Sequence, residues 1–168
     1  GSSLTTASTT NTISGLPAGT YIIQLTDANG CSKVDSVIIT QPAVLLASAT
    51  GVNVSCFNLC DGTAHAIVTG GTPAYNYNWT PGNPTGDGTP NVSGLCPGTY
   101  TVTVGDTHGC SDTGIVVITQ PALLIANPTS TNELCFGDCN GTATAAPTGG
   151  TLPYTYDWTP GNPPGGAA

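Results

Sequence analysis

The chain has 168 residues, of which 38% are apolar and only 6% are charged. One basic side chain, Lys33, stands against nine acidic ones, so the formal net charge is −8 and almost nothing can pair with nucleic-acid phosphates. The polarity comes from Thr, Ser, Asn and Gly, as in many exported surface proteins, and the apolar runs are far shorter than the roughly 20 residues that cross a bilayer. We expect an extracellular or cell-surface protein without nucleic-acid partners or a membrane span.

The first ten residues, GSSLTTASTT, have neither the basic start nor the apolar stretch of a signal peptide, and the chain contains no Met. We therefore expect the sequence to be a mature form or an excerpt of a longer protein.

An internal repeat of 79 residues organises the chain. Residues 13–42 match 92–121 at 15 of 30 positions, and residues 43–84 match 122–163 at 24 of 42. The motif ITQPA, at 39–43 and 118–122, indicates a joint between modules because Pro ends a strand and a new apolar run begins. The predicted domains are the back half of a module (1–42, the back half-module), a complete module (43–121) and the front half of a third (122–168, the front half-module).

Within the complete module the side chains alternate with a period of two. TYTVTV (99–104) and YNYNWT (75–80) show this alternation, and IVVIT (115–119) is strongly β-branched. Turn motifs such as DANG (27–30) and DTHG (106–109) separate the runs, and no helical periodicity appears. The sequence predicts an all-β fold of tandem small immunoglobulin-like β-sandwich modules, each with six or seven strands and essentially no helix.

Four aromatic residues are predicted to pack in module cores. Trp79 ends a central strand, and Trp158 is its counterpart in the front half-module. Tyr100 and its counterpart Tyr21 open a late strand in the motif GTY, as in a tyrosine corner. An alternative interpretation is that Trp79 and the tyrosines before it form an exposed platform on which sugars stack.

The motif CFNLC (56–60) returns as CFGDC (135–139) and admits three interpretations. A zinc site would need a second close pair of Cys or His, and a redox pair would need CxxC opening a helix, and neither is present. Disulfide bonds remain, although four cysteines allow three connectivities. We prefer Cys56–Cys110 and Cys60–Cys96, because each closes a long loop and contributes roughly 3–4 kcal/mol in the chain-entropy model.

The ordered strings CFNLCDGTA, TGGTPAYNYNW, SGLCPGTYTVTV and DTHGCSDTGIVVITQP resemble the SprB-type repeat of Bacteroidetes cell-surface proteins, over residues 13–168. That family occurs in large gliding-motility adhesins and in secreted multi-repeat proteins. The resemblance implies an extracellular β-sandwich repeat in tandem arrays, with adhesive or structural work. It also implies a second cysteine pair at Cys60 and Cys96, which the back half-module lacks because Pro17 stands where Cys96 would be.

No constellation of residues indicates an enzyme. The acidic residues Asp27, Asp61 and Asp106 lie in turn motifs, where a carboxylate caps the turn. We expect no cofactor, with a weak calcium site from turn carboxylates as the alternative.

Several residues match modification patterns. Asp35-Ser36-Val37 fits the O-glycosylation pattern associated with secreted proteins of the same bacteria, and four sequons match the N-glycosylation pattern. The candidate residues are Ser36, Asn53, Asn78, Asn91 and Asn140.

The leading functional hypothesis is a disulfide-stapled, rigid extracellular spacer with structural or adhesive work, whose partners are copies of itself, neighbouring repeats or polysaccharides and surface glycans. In a sharper form, the front half-module of one copy completes the back half-module of the next and builds a filament. Cys135 and Cys31 would then be bridged across subunits or across an omitted stretch of chain, and Cys139 would have no mate. The alternative is a carbohydrate-binding accessory module of a secreted enzyme.

Overall fold

The computed structural model describes residues 10–159, so nearly all of the first ten residues and the end of the front half-module lie outside the described residues. Between residues 10 and 159 all helical or strand structure is β, which confirms the predicted all-β class. The strands in chain order are β1 (Gly19–Thr26), β2 (Ser32–Ile39), β3 (Leu46–Val52), β4 (Gly62–Thr69), β5 (Asn76–Thr80), β6 (Asn91–Leu95), β7 (Gly98–Gly105), β8 (Ser111–Ile118), β9 (Pro128–Thr131) and β10 (Thr142–Ala145).

Two three-stranded antiparallel sheets form the complete module. One has the order β3-β4-β6 and the other the order β5-β7-β8. The six strands agree with the predicted sandwich, because alternate residues of both sheets point into one core. The immunoglobulin-like strand order stays a prediction.

The core of the complete module is made of the alternating residues that the sequence predicts. Trp79, Val102 and Val104 have no exposed surface, and Trp79 lies directly opposite Val102 in the β5–β7 ladder. Leu95 and Ile118 complete the set of fully buried large side chains. Burial of this kind contributes about 25 cal/mol per Å² of apolar surface, so these few side chains dominate the stability of the module.

The first strand of the complete module lies beside its last strand. Ala47 donates its backbone N–H to the Asp112 carboxylate (2.8 Å) near the start of both strands. Beyond their ends, Val54 donates its backbone N–H to the carbonyl of Thr119 (3.2 Å). β3 and β8 therefore run in the same direction, and we call the contact between them the seam.

The chain divides into two compact units, Gly1–Ala43 and Val44–Ala168. In the first, β1 and β2 form an antiparallel hairpin with Gly19 opposite Ile39. In the second, the complete module is followed by the β9–β10 hairpin, with Thr142 opposite Thr131. The predicted domain boundaries at 42/43 and 121/122 stay predictions.

Candidate functional site

The β1–β2 hairpin exposes the apolar face that the complete module buries. We call this surface the hairpin face; its apolar residues are Tyr21, Ile23, Leu25, Val37 and Ile39, and Lys33 and Asp35 lie on the same side, opposite Leu25 and Ile23. Shifted by 79 positions, Ile23 and Leu25 correspond to Val102 and Val104, which are 0% exposed, whereas Ile23 is 47% and Leu25 61% exposed. Since each side chain could bury most of its apolar surface against a second sheet, the hairpin face is an unpartnered half of a core.

The front half-module holds an open apolar cavity at the corresponding place. We call this cavity the front groove; it has a volume of about 270 Å³. It is lined in part by Leu124, Ala126, Ala145, Pro147, Tyr154 and Tyr156. Leu124 is 56% exposed, whereas its counterpart Leu45 in the complete module is only 6% exposed. The groove is therefore the other unpartnered half of a core.

The pattern Tyr-x-Tyr-x-Trp occurs in both modules but forms a strand in only one of the two described copies. Residues 76–80 form β5, whereas the counterpart residues 155–159 form no strand. β5 lies at the edge of its sheet and pairs only with β7. The counterpart of β7 is β1, so residues 155–159 have no neighbouring strand among the described residues of their own half-module.

A turn carboxylate, Asp106, makes a polar contact between two distant parts of the complete module, and its counterpart in the back half-module lacks that contact. Asp106 is buried in the β7–β8 turn and accepts backbone N–H groups from His108 (2.8 Å), Cys110 (2.9 Å) and, across the module, Thr72 (3.0 Å). Its counterpart in the back half-module, Asp27, accepts N–H groups from Asn29 (2.9 Å) and Cys31 (2.8 Å) through Oδ1. The counterpart of Thr72 is Thr151 in the front half-module.

One disulfide bond, Cys60–Cys96, is present among residues 10–159. It joins the loop before β4 to the turn before β7, and Gly62 and Leu95, which lie next to the two cysteines, face each other in the β4–β6 ladder. The bond therefore closes a separation of 36 residues at one end of the sandwich.

The predicted Cys56–Cys110 bond is wrong. Both residues are exposed free thiols. Cys56 lies just beyond Val54, at the end of the sandwich where β8 finishes, whereas Cys110 directly precedes β8. The eight residues of β8 span about 26 Å at roughly 3.3 Å each, and a disulfide needs Cα atoms within about 7 Å.

The same geometry corrects the expectation for Cys31 and Cys135. They are the counterparts of Cys110 and Cys56, and both are exposed free thiols. A module completed from two halves would place them at opposite ends of β2, so the two cannot bridge within it. Cys139, the counterpart of Cys60, is also an exposed free thiol, and Pro17 stands where its mate would be.

The family model of the SprB repeat matches residues 48–84 and 127–163. Both of these stretches are similar to the SprB repeat. The two matches begin 79 residues apart, which confirms the resemblance and the period. No curated protein and no solved structure matches the chain. Each match runs from the first strand of a module past its Trp, so the SprB match of the front half-module includes part of the front groove and the unpaired residues 155–159.

The aromatic residues of the SprB repeats differ between the complete and half-modules. Trp79 is fully buried and donates its Nε1–H to the carbonyl of Thr89 (3.1 Å), so it offers no platform for sugars. Trp158 is only partly buried. Tyr100, after the matched stretch, donates its hydroxyl to the carbonyl of Cys96 (3.1 Å), four residues upstream, as a tyrosine corner does. Tyr21 makes the same bond to Pro17 (2.8 Å).

The candidate glycosylation residues within and around the SprB repeats are all exposed; they are Ser36, Asn53, Asn78, Asn91 and Asn140. The side-chain Oδ1 of Asn91 lies 2.8 Å from Nδ1 of His65. The side-chain Oδ1 of Asn53 accepts a hydrogen bond from the backbone N–H of Thr119. Their modification stays a prediction.

The described residues, 10–159, contain neither a cluster of metal-ligand side chains nor a membrane-spanning helix. No group of three or more His, Cys, Asp or Glu residues is arranged there to hold a metal ion. In that part of the chain there is also no helix with the length and apolar character needed to cross a membrane.

The pKa of the buried Asp106 carboxylate determines in part how the stability of the complete module changes in acid. Burial raises the pKa of Asp106, but the N–H groups of Thr72, His108 and Cys110 outweigh it, so the pKa lies below its ordinary value of 3.8. A carboxylate whose pKa is lower in the folded state than in the unfolded state stabilises the fold at pH values above its unfolded-state pKa. This stability is lost as the pH falls through the folded-state pKa. We expect the urea midpoint to hold from neutral pH to about pH 4 and then to fall.

Asp61 and Asp112 also have lowered pKa values, so they too stabilise the fold less as the pH falls. Hydrogen bonds from the hydroxyl and backbone N–H of Ser55 lower the pKa of Asp61, and the backbone N–H of Ala47 lowers that of Asp112. Asp106→Asn is expected to flatten the acid limb of a series of urea midpoints measured against pH. An acid limb identical to that of the native chain would contradict the role of Asp106.

Proposed function

We propose that the chain is a non-catalytic extracellular structural protein whose SprB modules assemble head to tail. The front half-module of one copy receives the hairpin face of a second copy, and together they make a module like residues 43–121. The observation that carries this proposal is the exposure of Ile23 and Leu25, whose counterparts Val102 and Val104 are fully buried in the complete module.

Three contacts expected in this assembly match contacts of the complete module. With β1 in the place of β7, Leu25 stands opposite Tyr156 and Ile23 opposite Trp158, as Val104 and Val102 stand opposite Tyr77 and Trp79. Residues 155–159 gain the neighbouring strand that they lack. Asp27 gains the N–H of Thr151, as Asp106 has that of Thr72.

Such an assembly is heterologous, because the donating and receiving surfaces differ. A heterologous contact that does not close into a ring extends indefinitely, so copies joined in this way form a filament. The outer faces of the strands carry Thr and Asn, which hydrate without charge, and we propose that these faces make the adhesive contacts with polysaccharide or neighbouring chains.

The test is the association of the full chain. We expect sedimentation velocity to show growth with concentration, and electron microscopy to show filaments with an axial repeat. Ile23→Asp is expected to abolish growth, because Ile23 faces Asp35 in the β1–β2 ladder and the added charge would be buried beside a like charge. Ile22→Asp is the matched control: Ile22 lies next to Ile23 on the opposite face of β1 and is 74% exposed.

Two results would contradict the proposal. One is a native chain that stays monomeric at every concentration. The other is equal growth of the Ile23→Asp and Ile22→Asp variants, since a charge would then matter no more on one face than on the other.

A further inference from the structure

The seam of the complete module leaves no room for a side chain on β8 at Gly114. A Cβ built there lies 2.7 Å from the carbonyl carbon of Ser48 and 3.0 Å from the backbone nitrogen of Ala49. These are backbone atoms of β3, which cannot move aside as the end of a side chain can. Two residues earlier, the Asp112 carboxylate accepts the N–H of Ala47 at 2.8 Å. The seam therefore needs a glycine at one position and an acceptor at the other.

The β1–β2 hairpin meets neither requirement. Asp35 stands at the position of Gly114, and Lys33 at the position of Asp112. A strand shaped like β3 would collide with the Asp35 side chain, and Lys33 has no lone pair with which to accept an N–H. The hairpin consequently cannot replace β7–β8 beside β3.

The front half-module differs at the position that would face Asp35. Asn127 stands where Ser48 stands in β3, and its φ of 44° lies in the left-handed region that Asn tolerates better than most residues. β9 begins only after it, at Pro128, whereas β3 begins two residues before Ser48. The Asn127 side chain donates to the carbonyl of Ala146 (3.3 Å) and to the hydroxyl of Thr148 (3.2 Å).

Two other seam residues of the front half-module are also more polar. Ser130 replaces Gly51, and Glu133 replaces the buried Val54. Exceptions to the seam of the complete module thus occur in both half-modules, and two of them, Asp35 and Asn127, occupy facing positions.

We propose that the two half-modules are a matched pair, in which the interruption at Asn127 leaves room for the Asp35 side chain. The hairpin of one copy then completes residues 122–168 of a second copy and rejects the front part of a complete module. This inference rests on the proposed head-to-tail assembly and adds its selectivity. A feature that excludes the wrong partner gives specificity that apolar burial alone does not.

The first experiment places the matched pair in the complete module of the full chain. In a Trp158→Phe background Trp79 is the only tryptophan, so tryptophan fluorescence reports the unfolding of the complete module. Gly114→Asp is expected to lower the Tm of this module by roughly 5–15 °C, because overpacking against backbone is not relieved. Thr113→Asp, one residue away and exposed, is the matched control and should change the Tm by less than about 3 °C.

Adding Ser48→Asn and Ala49→Pro to Gly114→Asp copies the interruption of the front half-module into β3. We expect this variant to recover at least half of the loss in Tm. Equal effects of Gly114→Asp and Thr113→Asp, or no recovery in a folded combined variant, would overturn the proposal. If the copied interruption itself unfolds the module, the assembly experiment decides.

The assembly experiment uses Asn127→Ser alone and together with Asp35→Gly. The single variant is expected to raise the concentration at half-assembly by about tenfold or more, and the double variant to return it close to that of the native chain. Additive effects would overturn the matched pair while leaving head-to-tail assembly intact. A native chain that does not assemble at all would overturn the proposed function, and the Tm experiment would still decide whether Asp35 and Asn127 fit each other.

Discussion

Replacement of Trp79 by alanine is expected to lower the free energy of unfolding of the complete module by about 3–5 kcal/mol. The side chain has no exposed surface and faces Val102 across the β5–β7 ladder. Its Nε1–H also donates to the carbonyl of Thr89 (3.1 Å), so truncation leaves a cavity and also removes a hydrogen bond. Domains of this size have a total stability of about 5–15 kcal/mol, so the loss takes a large share of it.

Urea denaturation followed by circular dichroism measures this loss. The matched control is Trp158→Ala, which removes the same side chain from the front half-module, where it is only partly buried. We expect the control to leave the unfolding transition of the complete module within about 0.5 kcal/mol of the native value. A Trp79→Ala chain as stable as the control would show that the core does not depend on this residue.

The second large effect is expected from the Cys60–Cys96 bond. The bond closes a separation of 36 residues, and the chain-entropy relation converts a loop of that length to roughly 3–4 kcal/mol. Cys60→Ala with Cys96→Ala should therefore lower the Tm of the complete module strongly, and a reducing agent should lower the Tm of the native chain but not that of the variant. Differential scanning calorimetry with and without reductant measures both effects.

Cys56→Ser with Cys110→Ser is the control for this prediction. Both thiols are free and exposed, so their removal should leave the Tm and its response to reductant unchanged. Loss of the response in this control, with its persistence in the Cys60/Cys96 variant, would place the stabilising bond elsewhere.

Local patterns in the sequence were sufficient to predict the core. Alternation in TYTVTV places Val102 and Val104 on one face of a strand, and the turn motif DTHG sets the hairpin that follows. These are properties of neighbouring residues, and a strand expresses them wherever it lies in the fold. The Trp79 core position and the hydrogen bond of Tyr100 followed from the same reasoning.

The cysteine pairing depends on topology, which local patterns do not contain. The entropy argument ranks pairs by loop length and favours Cys56–Cys110 as much as Cys60–Cys96. The pairs are distinguished by the direction of β3 beside β8, which separates Cys56 from Cys110 by the length of a strand. Only the arrangement of strands reveals which ends of the sandwich carry which thiols.

The unpaired residues 155–159 illustrate a second limit. Their pattern matches that of β5 at Tyr156 and Trp158, yet they form no strand. An edge strand exists through its neighbour, and no strand lies beside residues 155–159 among the described residues of the front half-module. The exposed half-cores follow from the same dependence, and so does the difference in burial between Trp79 and Trp158.

The parallel course of β3 and β8 also has a mechanical consequence. Tension along a tandem chain enters a complete module at its first strand and leaves at its last, and these two strands touch from Ala47 beside Asp112 to Val54 beside Thr119. Because the strands run in the same direction, pulling their outer ends apart slides one along the other and loads all these contacts together instead of one after another. The Cys60–Cys96 bond lies between them in the chain and limits how far the interior can extend if the seam yields.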